Sequence, residues 1–114
     1  MVQTGTFPNG IINDKGEACR EFILAERTFR HTLELAGDPD VKKELLAAPA
    51  YYDAAIISKR LAVAGIQKMT PDMVLDLDGE DGDVLANAMM DLDQRRAEFR
   101  NQQQVAAQTA AGAA

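Results

Sequence analysis

Two short apolar runs near the start of the chain flank a turn sequence, and the rest of the chain keeps a helical rhythm. Residues 7–12 (Phe7-Pro8-Asn9-Gly10-Ile11-Ile12) and 17–24 bracket Asn13-Asp14-Lys15-Gly16. The leading Asn/Asp and closing Gly suit a type I turn with a left-handed residue and a bulge, which predicts a β-hairpin. On its second strand Ala18, Phe22 and Leu24 fall on one face, interrupted by Arg20, while Glu17, Cys19, Glu21 and Ile23 share the other. A two-stranded hairpin is marginal alone in water. It either caps a helical core or adds its edge to a strand of another chain, which makes a homo-oligomer through the hairpin.

Beyond the hairpin the punctuation is that of helices. Thr28 caps a helix over residues 29–36 that Gly37 ends; Asp38 caps the next, with Pro39 at its first position, running to residue 47 or 48 before Pro49. Residues 50–64 form a third, with Ala50, Ala54, Ile57, Leu61 and Ala64 on one stripe, Tyr52, Ile56 and Val63 widening it, and Gly65 terminating it. It is apolar over more than half its circumference, which places it in the middle of a bundle; Tyr51 and Tyr52 keep their hydroxyls near solvent. Thr70 caps a short helix from Pro71 to about residue 75 or 77, and Asp83 caps the last. That final helix puts Leu85, Ala88, Met89, Leu92 and Phe99 in one arc. Met90 lies roughly 100° beyond the arc, where either a neighbouring element or a partner covers it. The predicted fold is α+β, mainly α: an N-terminal β-hairpin followed by a small bundle of four to five helices. Residues 1–6 form a flexible start, 7–100 a single domain, and 101–114 an Ala/Gln-rich tail without fixed structure.

A chain of 114 residues supports one core and buries about two-thirds of its unfolded surface. Aromatic content of 5% without Trp leaves Leu, Ile, Val, Ala and Met to build that core, which favours helices. The net charge of -6 argues against nucleic acid and anionic lipid as partners, since both need a basic surface. Cys19 is the only cysteine, so no disulfide and no thiolate cluster forms within one chain. The first residues lack a signal peptide's basic and apolar regions, and no run is long enough to span a bilayer; the expected place is the cytoplasm.

The candidate chemistry is sparse. The acidic stretch from Asp76 to Asp83 fails the EF-hand spacing: counting from Asp76, the sixth residue is Asp81 where Gly is needed and the twelfth is Asn87 where Glu is needed. It reads as a solvated loop whose carboxylates favour the next helix's N-terminus. His31, the single histidine, has no Ser, Cys and Asp partners on any evident geometry and reads as a helix-surface residue. Gly79 and Gly82 sit among acids that repel a phosphate. Neither an enzyme nor a metal or other cofactor site is expected.

The segments 7–16 and 20–24, with residues 66–77 (Ile66-Gln67-Lys68-Met69-Thr70-Pro71-Asp72-Met73-Val74-Leu75-Asp76-Leu77) and the helix from Val84 through Met90, together resemble tail assembly chaperones of Mu-like bacteriophages and prophages. The resemblance covers residues 7–100, with residues 38–61 departing from it. It implies a small protein of the bacterial host cytoplasm that binds the tape-measure protein, or another tail protein, and assists tail-tube assembly without joining the particle. The alternative is a permanent structural or adaptor component of a tail or tail-like particle. Candidate partner-binding residues are Cys19 and Ile23 on the hairpin's second face and Met89 and Met90 on the last helix. An acidic chain that covers apolar surface on an immature partner also keeps covered chains apart by repulsion.

Overall fold

The computed structural model describes the backbone of residues 1–112 and the side chains through Thr109. Among the described residues the fold is mixed α+β: a three-stranded antiparallel sheet and four α-helices. Strand β1 (Val2–Ile12) and strand β2 (Ala18–Ala25) form the hairpin. Its turn is held by Asn13, whose Oδ1 accepts the N–H of Lys15 and of Glu17, each at 2.9 Å, and closed by Gly16 at φ 78°. The strand begins at Val2. Residues 2–6, expected to be flexible, pair with residues 21–25 of β2, because Val2, Thr4 and Thr6 are β-formers facing a ready edge.

Between Thr6, opposite Glu21, and Ile11, opposite Cys19, the four residues 7–10 of β1 stand against the single residue Arg20 of β2. Pro8 has no N–H to give the ladder, and Gly10 takes φ 86°. A Cβ on Gly10 would lie 2.7 Å from the Cys19 carbonyl oxygen, so only glycine fits there. The bulge also resets which side of β2 faces inward. Cys19 is buried together with Phe22 and Leu24, while Ile23 faces out, so Cys19 and Ile23 do not share the face that simple alternation assigns them.

Helix α1 (Phe29–Ala36) follows its predicted bounds. Residues 38–48 do not form the expected helix; they make one 3-10 turn, Lys43–Leu45. The Asp38 carboxylate accepts the N–H of Asp40 at 2.8 Å, a local turn that competes with helical capping. Helix α2 (Pro49–Arg60) stops sooner than its apolar stripe predicts, because strand β3 (Leu61–Val63) leaves it to pair with Phe22, Ile23 and Leu24. The sheet order is β1-β2-β3, and Gly65, at φ 94°, closes a strand end rather than a helix. Helix α3 (Pro71–Leu75) is capped by Thr70, whose Oγ1 accepts the Met73 N–H at 3.2 Å.

Helix α4 (Gly79–Gly112) begins inside the acidic stretch and runs 34 residues, about 51 Å at 1.5 Å per residue. It continues through residues expected to lack structure; residues 113–114 of that segment lie outside the described residues. Leu85, Ala88 and Leu92 pack under the sheet against Phe7, Phe22, Leu24, Leu61 and Val63. The Phe7 and Phe22 rings stack with centroids 4.4 Å apart. Phe22 also lies over Gly5, where a Cβ would come within 2.4 Å of its ring. A second, smaller cluster joins Leu35 of α1 to Val41 and to Tyr51, Ala55 and Ile56 of α2. Tyr51 is buried, and its hydroxyl accepts the Lys42 N–H at 2.9 Å instead of meeting solvent. The helices therefore divide between a sheet-backed core and a helix pair, in place of one bundle.

Candidate partner-binding surface

The acidic stretch is a structural latch. Asp78 caps α4: its Oδ2 accepts the Glu80 N–H at 3.0 Å and also the Asn9 side-chain amide at 2.8 Å. Asp81, one turn on, is completely buried, and its two oxygens accept the N–H of Asn9 and of Gly10, each at 2.9 Å. These are the amides that the β1 bulge turns away from β2. The capping role expected of Asp83 thus falls to Asp78, and the loop is not simply solvated. A buried carboxylate is tolerable here because it takes two charge-assisted hydrogen bonds from backbone that would otherwise lack an acceptor.

A second buried acid sits between α1 and α2. Asp38 pairs with Lys59 and, at 3.0 Å, with Lys68, which also reaches Asp40 at 3.0 Å. Lys59, the Asp40 N–H and Lys68 hold the Asp38 carboxyl well below the usual carboxylate range. Asp40 and then Asp38 raise the pKa of Lys68. His31 is buried rather than on the surface, and its Nδ1 accepts the Thr28 N–H at 2.9 Å, closing the first turn of α1. Among the described residues, no three His, Cys, Asp or Glu side chains converge as a metal cage.

The four residues singled out for partner binding do not come together. Cys19 is buried, its thiol directed at the Glu17 carbonyl. Met89 is half-buried against the main core. Met90 is 67% exposed: no neighbouring element covers it. Ile23 is 49% exposed at the centre of the outer sheet face, which no described helix covers. Around it Thr4, Thr6, Glu21, Ala62 and Ala64 line a shallow groove of about 530 Å³.

Sequence reasoning missed the most exposed aromatic, Phe29 at 73%, with Leu33 one turn away on α1. Their i, i+4 spacing was a readable signal, since His31 and Leu35 form a separate buried pair on the same helix. It also placed Phe99 in the packed arc of α4, whereas Phe99 is 53% exposed because the sheet ends before it. From Glu98 to Thr109 every side chain of α4 is exposed. No described helix is long and apolar enough to cross a membrane. Compared with protein-family profiles, with curated proteins and with solved structures, the chain matches none.

Proposed function

We propose that this chain is a tail assembly chaperone of the phage type, which holds an apolar segment of the tape-measure protein in the host cytoplasm while the tail tube forms. The observation that carries the reading is the uncovered outer face of the sheet, with Ile23 at its centre and small or β-branched neighbours forming a groove. A sheet face of this kind suits an apolar helix or strand of another polypeptide. The resemblance of residues 7–16, 20–24 and 66–77 to the chaperone family adds the identity of that polypeptide. Binding and release suffice for this role, and no bond-making step is assigned to any residue.

Co-expression with the tape-measure protein encoded beside it tests the reading. The tape-measure protein stays soluble and is recovered in a complex with the wild-type chain, whereas Ile23→Asp, at an exposed position, folds normally and recovers at least about tenfold less, the loss expected of a hot-spot contact. Equal solubility of the tape-measure protein without this chain overturns the assignment. Stoichiometric recovery of the chain in purified particles points instead to a permanent tail component.

A further inference from the structure

Charge is segregated along α4. Residues 72–93 hold eight carboxylates and no Lys or Arg, more negative charge than the net of -6 for the whole chain. Asp81 is spent in the latch, and Asp72 pairs with Lys42 at 3.9 Å. Asp93 faces Arg60 and favours its charged form, and the other five make no ion pair among the described residues. Met90 stands exposed among them, with Asp83 two turns before it on the same stripe and Asp91 beside it.

The opposite character is found where α4 passes the end of β2. Glu26 receives both the Met1 ammonium, at 3.4 Å, and Arg96, at 3.1 Å. Arg95 donates to the Val2 carbonyl, Arg60 to the Ala25 carbonyl at 3.0 Å, and Arg27 to the Tyr52 hydroxyl at 3.4 Å. Arg30 and Arg100 sit one turn further along α1 and α4. Arg27 and Arg30 have no carboxylate partner among the described residues, and the buried Nη2 of Arg60 has no acceptor. The exposed Phe29 and Leu33 follow Arg27 on α1, and the exposed Phe99 follows Arg96 by one turn on α4. The cationic side chains named at this end are all arginines. Arginine with aromatic side chains is the composition of interface centres, where lysine is depleted.

We propose that the arginine-rimmed Phe29–Leu33–Phe99 end of one copy docks on the Met90 face of α4 in a second copy, head to tail. The occupant is another copy because the chain itself carries the complementary surface: Arg27 and Arg30, without a carboxylate partner, beside the apolar side chains of α1, and the unpaired Asp83 and Asp91 beside an exposed methionine on α4. Because the two patches differ, the contact is heterologous and propagates into rings or open chains. It leaves free the outer sheet face on which the tape-measure reading rests, so either can fail without the other.

Sedimentation of the full chain over a range of concentrations, in about 0.05 M and about 0.5 M salt, tests it, since the screening length shrinks roughly threefold between the two. The wild type gains mass with concentration and loses it in high salt. Phe29→Ser with Leu33→Ser, and separately Met90→Lys, each change exposed positions; the thermal midpoint stays at the wild-type value while association falls at least about tenfold. Mixed in equal amounts, the two variants form a two-chain species and nothing larger, because each supplies the face the other lacks. A wild type that stays single-chain throughout, an association indifferent to salt, or a mixture that remains monomeric overturns the proposal.

Discussion

Asp81 holds the β1 bulge through two backbone amides, so Asp81→Ala leaves both N–H groups without that acceptor and opens a cavity where the buried carboxylate sat. A loss of about 2–4 kcal/mol is expected from equilibrium urea unfolding. Asp38 sets the response to acid. Its folded pKa lies below the unfolded value, so its contribution is complete above the ordinary carboxylate range, begins to fade below about pH 4, and keeps falling as the pH drops toward the folded value. Unfolding midpoints measured from pH 5 to pH 2 therefore fall more steeply for the wild type than for Asp38→Asn, and equal slopes refute the role. Residue-level signals were legible where the partner is near in sequence: Thr70 caps α3 as its Thr-Pro-Asp pattern predicts, and Asn13 builds the predicted turn. Asp81 was illegible because its partners lie more than seventy positions away, and a carboxylate in an acidic run looks the same whether it faces water or backbone.

At the level of elements, the hairpin, α1 and α3 follow from local caps and alternation, while α2 and β3 show where local pattern fails. Leu61 and Val63 continue the helical stripe of α2, yet both become strand residues, because pairing with Phe22 and Leu24 satisfies their backbone and buries them in the main core. Asp38-Pro39 is a sound start signal with no helix behind it, since the carboxylate is drawn to Lys59 and Lys68. The last part of α4 adds length without packing. Ending the chain at Arg100 is expected to leave the stability of the domain, measured by urea unfolding, within about 0.5 kcal/mol of wild type, as for other surface changes, while far-UV circular dichroism loses the helical signal of the removed turns. A large drop in stability shows instead that the exposed turns support the core. Of the candidate surface, Met90 and Ile23 were visible from sequence, whereas the Phe29–Leu33 pair passed as ordinary helix because exposure is a property of what fails to pack.

Across the whole molecule, 61 Å in its longest dimension, two clusters of unequal size set a hierarchy of stability. The sheet-backed core gathers both stacked phenylalanines, whereas the α1–α2 cluster holds Leu35, Val41, Tyr51, Ala55 and Ile56. Native-state hydrogen exchange is expected to show α1 opening at lower free energy than β2; equal protection in both disproves the hierarchy. The latch has a further consequence during synthesis. Asp81 is translated 72 and 71 positions after Asn9 and Gly10, so it leaves the ribosome roughly 4 to 14 s after their amides at ~5–20 residues per second. Throughout that interval the nascent hairpin presents an incomplete edge, and the emergence of α4 is the event that withdraws it from other nascent chains.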